Sequence, residues 1–199
     1  MENKSIYIND VVKVYKDIDL TIVPERESFT FEQAKTKMID IFSWFLEKEC
    51  KTIQYHKEYD NVAEWLENTN GKGLFLYGRC GSGKTMLARR VIPSLFYIYK
   101  KRIFSIYDAN EMHSKIAEIL KRHLIVIDDL GAEGIFNDYG TKRNYIEEIM
   151  DSVEKEGKTV IITSNLPNWE SICRKYGERT WERIKATTKP ILFNFESMR

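Results

Sequence analysis

Apolar residues recur along the chain in two rhythms, one helical and one extended. Phe31, Ala34, Met38, Ile41, Phe42 and Phe45 fall at helical spacing, which predicts a helix with one buried face. Thr30 followed three residues later by Gln33 reads as the capping box that opens it. A second such pair, Asn61 with Glu64, opens a shorter helix carrying Val62, Trp65 and Leu66. Asn70-Gly71-Lys72-Gly73 is a turn that feeds a short apolar strand, Gly73 to Tyr77. A helix from Lys84 to about Lys101 follows, with Pro93 as a kink or break. Ile103 to Tyr107 is a second strand. Asp108 with Glu111 then caps a helix whose apolar face is Met112, Ile116, Ile119 and Leu120.

The third strand changes the rhythm. Leu124-Ile125-Val126-Ile127 is apolar without interruption, as strands covered on both faces of a parallel sheet are. After a loop over Gly131 to Lys142, Ile146, Ile149, Met150 and Val153 mark an amphipathic helix ending near Gly157. Thr159 to Thr163 is a fourth buried strand. Asn168 starts another helix that leads to Gly177 through Ile184, and Pro190 to Phe195 is a fifth strand. Strands alternating with helices predict an α/β fold of three layers, α/β/α, around a parallel five-stranded sheet. The division expected is a short N-terminal extension, 1–57, and a core, 58–199. Within the extension, residues 1–28 carry Ile6, Ile8, Val11, Val12, Val14, Ile18, Leu20 and Ile22 in partly alternating order before Pro24. That pattern suits a hairpin, an arm on a partner or a segment packed on the core.

Composition narrows the classes. At 199 residues, 43% hydrophobic and 31% charged, the chain suits one globular domain with a substantial core. The net charge of +1, from 31 basic and 30 acidic residues, supplies no global field for nucleic acid. DNA contact would need a local patch, such as Lys100, Lys101 and Arg102, or Lys142 and Arg143. Solvated surface is the ordinary role of such residues. Cys50, Cys80 and Cys173 lack metal-ligand spacing and suit a reducing compartment. The N-terminus lacks a signal-peptide pattern, and Val91 to Tyr99 is too short to span a bilayer. The expectation is a cytoplasmic protein with no membrane contact.

The chemistry concentrates after the first strand. Gly78-Arg79-Cys80-Gly81-Ser82-Gly83-Lys84-Thr85 fits G-x-x-x-x-G-K-[ST]. Strand, glycine-rich loop and helix bring successive backbone N–H groups onto one anion, so Gly78 through Met86 are the candidate nucleotide-holding residues. Lys84 is a point charge for the β- and γ-phosphates, and the Thr85 hydroxyl is a ligand for Mg²⁺. The apolar third strand ends in Asp128-Asp129, where open α/β sheets place ligands. Asp128 would hold the Mg²⁺ and Asp129 would polarise the attacking water. Asn165, at the end of the fourth strand, would lie beside them and orient that water; taken alone, an Asn there is turn chemistry. Any of Trp44, Phe45, Tyr55, Tyr59 and Trp65 could stack on an adenine, with core packing the default for each.

GRCGSGKT at 78–85, LIVIDDLGAE at 124–133, VIITSNL at 160–166, YGERTWERI at 176–184 and ILFNFESMR at 191–199 together resemble AAA+ P-loop ATPases of the DnaC-like helicase-loader and IstB-like transposition-helper group. The resemblance runs from about Glu58 to the C-terminus. It implies a sensor-1 role for Asn165. Arg183, in the Gly-Glu-Arg-x-x-x-Arg pattern, would be an arginine finger reaching a neighbour's γ-phosphate, and Arg199 a sensor-2-like arginine near the nucleotide. It implies a homo-oligomer formed on ATP, acting on DNA, notably single-stranded, with a replicative helicase or a transposase. The departures are Asp129 where many AAA+ proteins carry Glu, and an extension matching no known helicase-binding domain. Two rivals are a nucleotide-dependent assembly switch with negligible hydrolysis and a small-molecule P-loop kinase. Asp129, Asn165 and the Gly-Glu-Arg pattern favour an ATPase over the kinase.

Overall fold

A computed structural model describes residues 26–133, 137–138, 141–142 and 144–195, with backbone alone for 137–138 and 141–142. The expectations placed on residues 1–25, on the side chains of Lys142 and Arg143, and on Arg199 lie outside the described residues.

Two helices precede the sheet, α1 (Ala34–Lys48) and α2 (Glu58–Glu67). Strand β1 (Gly73–Gly78) leads into α3 (Lys84–Met86), a π turn (Leu87–Val91) and α4 (Ile92–Lys100). Strand β2 (Ser105–Asp108) passes through a 3-10 turn (Ala109–Glu111) into α5 (Met112–Ile119). Then come β3 (Leu124–Leu130), the small strands β4 (Asn137–Asp138) and β5 (Thr141–Lys142), and α6 (Tyr145–Glu156). The chain continues as β6 (Thr159–Ser164), α7 (Trp169–Tyr176), α8 (Glu178–Thr187) and β7 (Thr188–Phe193).

The sheet is parallel throughout, in the order β2-β3-β6-β1-β7. Strand periodicity distributes its side chains between two cores. Leu74, Leu76, Val126 and Ile161 pack with Met38, Phe42, Trp65 and Phe96 from α1, α2 and α4. Phe75, Ile125, Ile127 and Ile162 pack on the other face with Ile119, Ile149, Ile172 and Ile184 from α5 to α8. This is the expected three-layer arrangement, and burial of these apolar faces is its main driving force. Helix α1 shares the first core with β1, as do Phe29 and Phe31 before it. Pro190 is tolerated because β7 lies at the sheet edge.

Several local expectations change. Thr30 and Gln33 form no capping box: Gln33 is the N-cap, left-handed at φ 51°, without a side-chain bond. The preceding segment is instead tied to the end of α2 and the residues just past it, with Phe31 N–H on the Leu66 carbonyl at 3.0 Å and Phe29 N–H on Thr69 Oγ1 at 2.8 Å. Those tertiary bonds set the entry angle. Asn61 is not a cap either, because α2 starts three residues earlier, at Glu58, with Glu58 and Asp60 in its first turn, where acidic groups favour a helix start. Pro93 does not break its helix. The π turn just upstream, with the Ile92 N–H on the Leu87 carbonyl, accommodates the ring at the start of α4. The capping box at Asp108 and Glu111 is formed as read. Strand β2 begins two residues later than Ile103, which is exposed, and β7 covers Thr188–Phe193 rather than Pro190 to Phe195.

Candidate nucleotide-binding site

The strands all end on one edge, and the predicted site residues gather there. Gly78, at φ 116°, closes β1 against β7: a Cβ at this position would meet the Phe193 carbonyl oxygen at 2.4 Å. Only glycine allows both that dihedral and that approach. The Arg79 N–H is already taken by the same Phe193 carbonyl, at 3.0 Å. Ser82 is buried and donates to the Arg79 carbonyl at 2.8 Å, which draws the loop into a ring. Gly83, at φ 84°, turns the chain into α3. Cys80 and Thr85 are exposed, whereas Met86 packs partly against the first core.

Lys84 is 4% exposed and folds back into the ring. Its ammonium donates to the Gly78 carbonyl at 3.0 Å, the Arg79 carbonyl at 2.6 Å and Ser82 Oγ at 3.3 Å. All three partners are neutral, and burial pushes its pKa down to about 8. A buried cation among neutral acceptors, at a loop of glycines, fits a polyphosphate.

The two aspartates differ sharply. Asp128 is buried and both its oxygens are engaged: the Thr163 hydroxyl donates to Oδ1 at 2.5 Å, and Arg89 Nη1 to Oδ2 at 3.3 Å. Arg89, from the π turn, also pairs with Asp108, the register partner of Asp128 on β2. Asp129 is left-handed, at φ 59°, and interrupts the β3–β6 register between Ile127 and Leu130. Its N–H bonds Thr163 Oγ1 at 2.9 Å, and its carboxylate accepts from Asn165 Nδ2 at 2.5 Å. Asp tolerates this conformation better than most residues, and bulges of this kind re-aim side chains beside active sites. Below it, Glu133 takes the Gly131 N–H at 2.8 Å and bonds the Tyr176 hydroxyl, whose pKa burial raises. Helix α7 thereby anchors the loop that follows Asp129.

The structure thus brings Lys84, Asp128, Asp129 and Asn165 to one strand edge. Thr163, Arg89 and the pairing of Asp108 with Arg89 went unpredicted. Thr163 had a signal, since it lies two residues before Asn165 and so on the same strand face. Arg183 is elsewhere. It is 15% exposed and held by Asp151 at 2.6 Å, Glu154 at 3.3 Å and Glu147 at 3.8 Å, all on α6. Arg179, one turn earlier, is 75% exposed.

The family model of the novel STAND NTPase 3 group matches residues 55–194. The chain belongs to that NTPase family. Its fold is similar to the DnaC helicase loader, with a TM-score of 0.60 at 21% identity over 71% of this chain and 93% of that one. DnaI follows at 0.54 and 22%, over 71% and 87%. DnaA from Aquifex aeolicus, AMPPCP-bound, gives 0.53 and 16%, over 74% and 50%. These likenesses show that the STAND NTPase shares the fold of the DnaC helicase loader. No curated protein sequence matches significantly. Among the described residues, no helix is long and apolar enough to cross a membrane, and no cluster of three His, Cys, Asp or Glu side chains could hold a metal alone. Thr85 and Asp128 offer the hard oxygen donors that suit Mg²⁺, an ion that takes few protein ligands and completes its shell with phosphate and water.

Proposed function

We propose that this protein binds ATP with Mg²⁺ and hydrolyses it, using the cycle to assemble on or release a DNA-processing partner. The observation that carries hydrolysis is the Asp129–Asn165 pair. It sits one residue past the buried Asp128 and is held by Thr163 from the neighbouring strand. Lys84 would exchange its neutral carbonyl partners for phosphate oxygens, gaining charge-assisted bonds. Thr85 and Asp128 would hold Mg²⁺, which neutralises charge on the transferred phosphoryl group. Asp129 accepts the proton of the attacking water while Asn165 fixes the carboxylate's orientation. Arg183 would act from a neighbouring subunit, as the Gly-Glu-Arg pattern implies. The DnaC-like fold supports a replicative helicase as partner and DNA as the setting, and a transposase is the rival partner.

One observation favours the switch reading, in which ATP only templates assembly. Arg183 is engaged by its own α6 carboxylates, so a lone subunit presents no free finger there. Both readings separate in one experiment. Asp129→Asn should keep ATP affinity and lower turnover about 10²–10⁴-fold, the range for losing a general base. Equal turnover in the two proteins, measured as phosphate release at assembly-forming concentration, would leave only the switch.

A further inference from the structure

Beside the phosphate loop lies a group without a partner. His56, in the segment between α1 and α2, stacks flat on Phe195, with ring centroids 3.7 Å apart and planes within 8°. Its Nε2 is buried and makes no hydrogen bond, and it is the one side-chain polar atom in that position among the described residues. Buried polar atoms are nearly always satisfied, because leaving one unmade forfeits its hydration. A lone exception calls for a ligand.

Its surroundings say which. Tyr59, one helical turn on, has its ring 6.1 Å from His56 and 5.9 Å from Phe195, and its hydroxyl reaches the Ser82 carbonyl at 3.5 Å. Phe193, two residues before Phe195, gives its carbonyl to the Arg79 N–H. The His56–Phe195 stack is therefore one ring away from the phosphate loop. An aromatic wall with a single polar atom suits a flat heteroaromatic ligand with donors and acceptors on its edge. An imidazole Nε2 can donate or accept according to its tautomer.

We propose that His56 is the specificity-determining residue of the nucleotide site, its Nε2 hydrogen-bonding the edge of adenine while the phosphates lie on Gly78–Thr85. This rests on the ATP reading above, and the test separates the two. The full chain is titrated calorimetrically with ATP, GTP and inorganic tripolyphosphate, as wild type and as His56→Phe, which keeps the stacked ring and removes both nitrogens. The expected result is about a tenfold loss of ATP affinity, the size of one hydrogen bond, with tripolyphosphate affinity unchanged and the ATP-over-GTP preference gone. The ligand-free melting temperature should stay level or rise, since an orphaned polar atom has been removed. His56→Gln, which restores a polar edge, should recover part of the preference. Unchanged ATP affinity and preference in His56→Phe would overturn the assignment, and so would a lower ligand-free melting temperature, which would mean that Nε2 has a structural partner. A wild-type chain that bound no tripolyphosphate would overturn the phosphate site itself.

Discussion

Two buried lysines lie at opposite ends of the sheet, and they differ in what surrounds them. Lys158, 1% exposed, precedes β6 and has an anion for a partner, the Glu156 carboxylate at 3.2 Å, besides Ser152 Oγ at 2.5 Å and the Leu120 carbonyl. Lys84, at the other end, has only neutral oxygens and makes no ion pair among the described residues. Lys158 is a finished structural contact. Lys84 is a cation held ready: the Asp128 and Asp129 carboxylates act on it without touching it, and its direct contacts are all neutral. Burial alone does not distinguish structure from function here; the counter-charge does.

Exchanging the two lysines for apolar residues sharpens that contrast most. Lys84→Ala should weaken ATP binding at least about 100-fold, through the loss of charge-assisted bonds, with little change in the ligand-free melt. Lys158→Ala should do the reverse, costing about 2–3 kcal/mol of stability and leaving nucleotide affinity alone. Calorimetry and denaturant titration read affinity and stability independently, and a Lys84 variant that binds ATP normally would end the contrast.

The two arginines of α8 offer a smaller version of the same test. Arg183→Ala should lose about 1–2 kcal/mol, because it removes the half-buried cation shared by Glu147, Asp151 and Glu154, whereas Arg179→Ala should stay within about 0.5 kcal/mol. If Arg183 also acts in trans, Arg183→Ala mixed with Asp129→Asn should regain turnover through mixed interfaces. Loss of turnover in Arg179→Ala alone would move the finger to the exposed arginine.

Titration of Lys84 gives a third effect, with a defined sign. Its folded-state pKa of about 8 lies below the ordinary 10.5, so the unfolded chain binds more protons between those values. Stability of the free protein should therefore rise with pH across that window. ATP prefers the protonated lysine, so affinity should fall above pH 8, by up to about tenfold per pH unit, with proton uptake on binding. Calorimetry in buffers of different ionisation enthalpy measures that uptake, and an affinity flat through about pH 9 would show that Lys84 does not meet the phosphates. The smallest expected effect is at Cys80, exposed in the loop. Bound ATP should slow its alkylation severalfold, and equal labelling with and without nucleotide would place the phosphates elsewhere.

Much of this was legible in the chain. Gly78, Gly81 and Gly83 with Lys84 and Thr85 announce their chemistry, because few loops other than a phosphate cradle need those residues at that spacing. The uninterrupted run Leu124 to Ile127 announces a strand covered on both faces, and the aspartates at its end then fall on the ligand edge. The capping patterns at Thr30 and Asn61 fail for different reasons, the second because its helix starts a turn earlier, at Glu58. At Thr30 a local pattern is overridden because the backbone is tied elsewhere, Phe31 to α2 and Phe29 to Thr69 just past it. Arg89 was illegible for a related reason: an arginine on a helix reads as solvated until the π turn aims it at two strand ends.

The sequence alone determined the layers, the parallel sheet, the placing of Asp128, Asp129 and Asn165 at strand ends, and that of Lys84 at the helix start after the glycine loop, since periodicity and strand direction dictate these locally. Only the tertiary structure decided how those groups are held. Asp129 turns left-handed where Thr163, on a strand 34 residues away in sequence, takes its N–H. Arg183 is bound to its own α6, Lys84 rests on neutral carbonyls, and His56 Nε2 is left without a partner. Each depends on neighbours distant along the chain, and on whether a counter-charge happens to be among them.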